Sequence, residues 1–300
     1  MMDRRFCSVA MTGRPRRGVR PADPGDAGRK RHFLFLPLAA CLIFLFIAAS
    51  ARAGEDPERL AQRVKPSVVV IFGTPHSSTK GKAPREDFAG TGFIVHEAGR
   101  VVTNRHVLVG LSRGRVRLYD GRVFPITRVL AVDEDYDLVM VEVDLKGSPK
   151  KGKGKSGAAS KKRLKPVTVS PDLPEMGEQV VVVGHPGGQA YKVSQGKVSA
   201  IKSRRKNGRE IQVIQSTVPT APGGSGSPVF NLKGQVVGVT TMRNPRKHDY
   251  QVAMPGVRVR ALKPAMNLPL SQWGAQTAAE RPKVQESIKS GGRRKPASGS

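Results

Sequence analysis

Beyond residue 58 the chain alternates short, Val-rich apolar runs with Gly, Pro, Asn and Asp. Runs of this length bounded by turn residues read as β-strands. A first set comprises Ser67–Phe72, Thr91–His96, Arg100–Thr103, Arg115–Tyr119, Phe124–Val132 and Leu138–Val143. A second set comprises Val167–Val169, Gln179–Gly184, Lys192–Ile201, Ile211–Gln215, Pro228–Phe230, Gln235–Met242 and Tyr250–Met254. No stretch in this region keeps a long helical period, and no alternation of strand with helix suggests βαβ units. Only Val257–Ala265 reads as a short closing helix. The pattern predicts an all-β sandwich or barrel. Aromatics at 5% and abundant valine agree with strands.

One segment breaks this pattern. Residues 33–49 form an uncharged apolar run, preceded by Arg29-Lys30-Arg31 and followed by Ala51-Arg52-Ala53. A basic flank, an apolar stretch and a small-x-small site are the parts of an export signal. The positive flank stays cytoplasmic while the chain behind it crosses. The run also approaches the length of an uncleaved anchor, and Leu38-Ala39-Ala40-Cys41 resembles a lipoprotein attachment site. The expectation is a basic leader over 1–32, a signal peptide or inner-membrane anchor over 33–53, and an exported domain that is periplasmic or secreted.

Charge changes the picture less than its size suggests. The formal net charge is +29, but the leader through Ala53, the segment Lys146–Pro166 and the tail from Arg281 carry +7, +9 and +5 of it. About +8 remains for the folded part. Gly/Ser/Lys-rich segments bury no apolar surface, so 146–166 is expected to be a disordered insert and 266–300 a disordered basic tail. Lys146–Pro166 lacks interleaved aromatics, which argues against specific nucleic-acid binding. Nonspecific, salt-sensitive contact with anionic envelope polymers or lipid headgroups fits it better. Both cysteines, Cys7 and Cys41, precede residue 54, so the downstream chain has no disulfide, thiol nucleophile or Cys-based zinc site.

Three motifs carry candidate chemistry. Gly90-Thr91-Gly92-Phe93-Ile94-Val95 and Val101-Val102-Thr103-Asn104-Arg105-His106 form a hairpin that delivers His106 at its end. Asp137 directly precedes the strand Leu138–Val143, where its carboxylate could fix the tautomer of an imidazole. Asp135, two residues earlier, is the second choice. Pro222-Gly223-Gly224-Ser225-Gly226-Ser227-Pro228 interrupts two strand signals compactly. Glycines beside a serine permit a tight turn and expose backbone N–H groups to a developing oxyanion. The amides of Gly223 and Ser225 are the natural donors. His185, in a Gly-His-Pro-Gly-Gly turn, reads as structural, and His76, His96 and His248 receive no role.

Together these segments resemble the chymotrypsin-like superfamily, and within it the HtrA/Deg-type proteases, over roughly Glu58 to Pro264. VGHPGG…VSQGKVSAI at Val183–Ile201 and YQVAMP at Tyr250–Pro255 extend the match, as does the order His106, Asp137, Ser225. The resemblance implies two six-stranded antiparallel β-barrels with the active site between them. On this reading the peptidase domain spans 54–265, with barrel 1 about 58–145 and barrel 2 about 167–262. It further implies hydrolysis of polypeptide substrates by a Ser-His-Asp triad without metal or organic cofactor.

The chain departs from the family pattern at Gly224, where Asn or Asp is usual, and at Ser227, where Gly is usual. About 36 residues follow Pro264, too few for a PDZ domain, so peptide-gated activation is not expected. The residues before the serine would form the base of the specificity pocket. Pro219 and Thr220, with Thr240 and Met242 as further lining, supply no carboxylate, so small or medium apolar side chains are expected there. An inactive protease-fold scaffold and a basic envelope-binding protein are the alternatives to an active endopeptidase.

Overall fold

The structure is a computed structural model that describes residues 55–76, 87–146, 163–185, 191–219, 223–241 and 250–280. The leader and apolar run over 1–53, most of the basic insert, Thr220, Met242, His248 and the tail from 281 lie outside the described residues. No helix among the described residues is long and apolar enough to cross a membrane.

The fold begins with a helix that the strand pattern did not reveal, α1 (Pro57–Val64). Asp56 caps it, accepting hydrogen bonds from Glu58 N at 2.8 Å and Arg59 N at 3.1 Å. Pro57 starts the first turn, where its missing N–H costs nothing. Leu60, Ala61 and Val64 form the buried face.

The first barrel follows. Its strands are β1 (Val68–Pro75), β2 (Asp87–His96), β3 (Arg100–Asn104), β4 (Leu111–Arg117), β5 (Val123–Asp133) and β6 (Leu138–Val143). A one-turn helix, α2 (Arg105–Leu108), lies between β3 and β4. The order β5-β4-β1-β2-β3-β6 closes through β5–β6 pairing into an antiparallel ring. The second barrel uses β8 (Gln179–Gly184), β9 (Lys192–Lys206), β10 (Arg209–Ser216), β11 (Pro228–Asn231), β12 (Gln235–Thr240) and β13 (Gln251–Pro255). Its order β11-β8-β9-β10-β13-β12 closes through β11–β12. A two-residue strand, β7 (Thr168–Val169), adds in parallel to β12. The architecture is two closed six-stranded antiparallel barrels, and closure removes the open edges that would otherwise invite further pairing.

The apolar runs are continuous because both faces of these strands are buried. In β1, Val69 and Ile71 fill barrel 1, while Val68 joins a second cluster with Phe93, Val102 and Met140. That second cluster also contains Val181, Val183 and Phe230 from the other barrel. Val180 and Val182, their neighbours in β8, fill the interior of barrel 2 instead. The period of two thus sorts each strand between its own barrel and the layer joining the barrels.

Several boundaries differ from expectation: β2 begins at Asp87 rather than Thr91, and β4 runs Leu111–Arg117 rather than Arg115–Tyr119. Strand β9 runs to Lys206 rather than Ile201, because the charged stretch pairs with β10 across a turn at Asn207 (φ 50°) and Gly208 (φ 77°). Its tip is fixed to barrel 1: Lys206 Nζ donates to the carbonyls of Glu134 and Asp135, and Arg209 pairs with Asp135 at 2.9 Å. The insert expected to be disordered through Pro166 is ordered from Arg163, where Leu164 packs on the barrel-1 cluster and Arg163 pairs with Glu97 at 2.7 Å.

The tail expected to be disordered from residue 266 is folded through Glu280. It forms β14 (Leu268–Pro269) on β5, α4 (Leu270–Gln276), and a 3-10 turn at Ala278–Glu280. The closing helix expected over Val257–Ala265 is shorter, α3 (Gly256–Ala261), and is capped at Leu262. Leu270 and Trp273, one turn apart, are buried against barrel 1. That short apolar pair was hidden by the basic composition of the residues that follow.

Candidate active site

His106 sits in α2, a helix too short to be stable alone. Its start is held by Asp137, which lies just before β6. The Asp137 carbonyl accepts from Arg105 N at 2.8 Å and from Asn104 Nδ2 at 3.1 Å. Its Oδ1 accepts from His106 N at 3.0 Å, occupying one of the otherwise orphaned amides of a helix start. Oδ2 faces His106 Nδ1 at 2.5 Å. Asp137 adopts a left-handed backbone (φ 54°), which Asp tolerates better than most residues and which these contacts over-determine.

Burial alone would raise the Asp137 carboxyl. The adjoining His106, through charge and hydrogen bonds, outweighs burial and holds it below its ordinary value. An ionised carboxylate only accepts, so His106 Nδ1 carries the proton. In the neutral ring Nε2 is then the basic nitrogen. Asp135 is turned away to Arg209. Of the two candidate carboxylates, only Asp137 meets the imidazole.

Thr241 was not anticipated. Its hydroxyl donates to Asp137 Oδ2 at 3.2 Å, giving that oxygen a second donor. The only signal was its place immediately after β12, beside Thr240.

The Ser225 loop is held by its carbonyls. Gly223 O accepts from Thr91 Oγ1 at 3.5 Å, Gly224 O from the Thr240 hydroxyl, and Ser225 O from Thr91 N at 3.0 Å. Gly226 N donates to Thr240 O at 2.9 Å, and Ser227 N to Thr240 Oγ1 at 3.2 Å. Among the described residues the N–H groups of Gly223 and Ser225 donate to no acceptor. Gly226 has φ 82°, and a side chain there would run into the Thr91 carbonyl and the Thr103 hydroxyl. The turn therefore requires glycine.

Serine loop and histidine helix meet at β2. A Cβ built on Gly90 would lie 2.9 Å from a Val107 methyl and 3.2 Å from the Ser225 carbonyl oxygen. Thr91 is the hub: besides its bonds to the serine loop, its carbonyl accepts from Thr103 Oγ1 at 2.6 Å and its hydroxyl from His185 N at 3.2 Å. Among the described residues His106 Nε2 and the Ser225 hydroxyl are not hydrogen-bonded to each other. Such contacts commonly tighten only around bound substrate.

The remaining sequence candidates separate. Thr240 is buried and its hydroxyl is engaged with the serine loop, so it braces that loop from beneath. Pro219 is exposed, three residues beyond the end of β10 at Ser216. His185 is fully buried, and desolvation, with Arg117 nearby, lowers it to about 4. His76 Nε2 donates to the Ser271 carbonyl, and His96 accepts from Ala98 N, so neither ring joins His106, Asp137 or Ser225. Among the described residues no group of three or more His, Cys, Asp or Glu side chains could hold a metal ion.

A profile of the trypsin-like peptidase domain matches residues 90–239, half of the chain, from β2 to the end of barrel 2's β12. The chain belongs to the trypsin-like peptidase family. The chain is 31% identical to a probable periplasmic DegP-like serine endoprotease of Hahella chejuensis, across 68% of this chain and 47% of that one. It is 34% identical to a protein of the same description in Pseudomonas fluorescens, across 69% and 48%. It thus spans about half the length of the curated relatives it matches. The crystal structure of the Rv3671c protease from M. tuberculosis in its active form superposes with a TM-score of 0.55 at 22% identity. That match covers 72% of this chain and 90% of the other, and it shows the shared fold.

Proposed function

We propose that this chain is a serine-type endopeptidase acting on exported or misfolded proteins. Ser225 is the nucleophile, His106 the general base and then acid, and Asp137 the orienting carboxylate. The observation that carries the reading is the 2.5 Å pairing of Asp137 with His106 Nδ1, on a helix that shares its β2 support with the Ser225 loop.

His106 Nε2 takes the hydroxyl proton as Ser225 Oγ attacks the peptide carbonyl carbon. The carbonyl oxygen becomes an oxyanion, stabilised by the N–H groups of Gly223 and Ser225. Collapse of the intermediate breaks the C–N bond, and the leaving amine receives the proton held on His106. Water, deprotonated by the same nitrogen, then attacks the acyl-enzyme ester and returns the proton to Ser225. Asp137 stays ionised throughout, which its depressed protonation favours.

By its sequence, the stretch before Ser225 that includes Pro219 forms the base of the primary pocket in this reading. Without a carboxylate the pocket selects small or medium apolar side chains. The apolar run over 33–49 exports the domain, in keeping with the word periplasmic in the names of its relatives. The basic insert and tail add salt-sensitive attachment to anionic polymers or headgroups.

Ser225→Ala is expected to abolish casein hydrolysis and labelling by a fluorophosphonate probe while leaving the far-UV circular dichroism unchanged. Hydrolysis that persists in this variant would remove Ser225 from its role.

A further inference from the structure

The folded C-terminal segment Asn267–Glu280 lies beyond the span that matches the peptidase family, yet it grips both ends of the histidine helix. At the front, Arg105 directly precedes His106. Its guanidinium makes a two-pronged contact with Glu280, at 2.7 and 2.9 Å. It also lies over the Trp273 ring, 5.8 Å from the centroid. A second carboxylate, Glu134, is 3.4 Å away but 70% exposed, against 46% for Glu280. The forked geometry and lower exposure make Glu280 the stronger partner.

At the back, Gly110 N donates to the buried Thr277 hydroxyl at 3.1 Å, and that hydroxyl donates onward to Trp273 O at 3.0 Å. Gly274 packs directly on the Leu111 carbonyl. His76 ties the same region together, with its N–H on Gly110 O at 2.8 Å and its ring Nε2 on Ser271 O at 2.9 Å. Four helical residues make almost no internal hydrogen bonds, so α2 takes its position from what surrounds it. Barrel 1 supplies the inner supports through Asp137. The outer ones come from the C-terminal segment.

We infer that Asn267–Glu280 is a positioning latch for the catalytic histidine, with Arg105 and Glu280 as positioning residues. The inference rests on the proposed role of His106. Breaking the latch leaves the substrate contacts in place but loosens the imidazole against Ser225, so turnover suffers rather than binding.

The test uses the full chain. Glu280→Ala and Glu280→Gln are expected to lower kcat on a chromogenic peptide about tenfold, with KM within about twofold, since a 1 Å misplacement costs up to about a hundredfold. Glu280→Asp is expected to restore most of the loss. Combining Arg105→Gln with Glu280→Gln is expected to cost no more than either alone, and additive losses would overturn the latch. A second readout does not depend on activity. Amide hydrogen exchange over residues 105–111 is expected to speed up in Glu280→Ala while the strands of barrel 2 keep their protection. Unchanged exchange there overturns the latch. Absence of Ser225-dependent hydrolysis in the parent chain instead counts against the proposed function, leaving the exchange result to decide the latch.

Discussion

Replacing Asp137 by Asn tests the arrangement most directly, because the hydrogen bonds around this side chain are fully specified. Both carboxylate oxygens accept: Oδ1 from His106 N, and Oδ2 from His106 Nδ1 and Thr241 Oγ1. An amide keeps one acceptor and turns the other position into a donor. If its oxygen stays on the His106 backbone N–H, its NH₂ faces Nδ1, which must give up its proton. The proton moves to Nε2, and the ring can no longer accept from Ser225. If the amide flips, its NH₂ confronts the His106 backbone N–H, donor against donor. The charge is lost as well. With charge centres about 4 Å apart in an effective dielectric near 20, the missing attraction to an imidazolium is about 4 kcal/mol. That is a factor of about 10³ in rate. The wrong tautomer adds to it, and the same substitution in the Ser-His-Asp triad of trypsin-class enzymes costs about 10⁴ in kcat. Steady-state hydrolysis of a chromogenic peptide, with melting temperature as a check on folding, is the assay. A folded Asp137→Asn protein with kcat within about tenfold of the parent would refute the reasoning.

Two further outcomes follow from Thr91 and His185. Thr91→Val removes the hydroxyl that supports Gly223 O and deprives His185 N of its acceptor. Turnover is expected to fall about tenfold through a looser oxyanion site, and stability by about 1–3 kcal/mol, while Thr91→Ser retains both; equal activity in the Val and Ser variants would count against the hub. His185 sits at about 4 in the folded chain against an ordinary 6.5. Between those values the unfolded chain binds a proton that the native chain does not. Stability is therefore full above about pH 6.5 and declines towards pH 4 by about 3 kcal/mol. Asp137, held below its ordinary carboxyl value, adds its own loss only at still lower pH. Urea unfolding of parent and His185→Gln across this range is expected to show a flatter profile in the variant. Parallel profiles would assign the effect to another group.

The strands were legible because their runs are buried on two faces, so valine and isoleucine occupy successive positions with little polar interruption. The same feature made the interruptions informative: Gly90-Thr91-Gly92, Asp137 and Gly223–Ser227 stand out against such runs. What was not legible depends on few residues or on distant pairing. Helix α1 offers only eight residues and one capped turn. The extension of β9 through Lys202–Lys206 has no apolar pattern of its own, and it is a strand because β10 pairs with it. The fold of 266–280 depends on Leu270 and Trp273 finding barrel 1. Thr241 was missed because a hydroxyl's partner across the barrel interface leaves no mark in local sequence.

The layer between the barrels explains why folding and chemistry are so closely joined in β2. Phe93 belongs to the inter-barrel cluster and Ile94 to the interior of barrel 1, so the strand's register is fixed by burial in two directions. That register brings Thr91 to the serine loop and Gly90 to the gap between Val107 and the Ser225 carbonyl. A one-residue slip would expose Phe93 and Ile94 to the wrong sides and carry the hub threonine away from the loop together. The apolar residues that hold the barrels also set the distance between the imidazole's helix and the serine's turn. Substitutions in this layer should therefore alter catalytic geometry as well as stability, even where they touch no polar group.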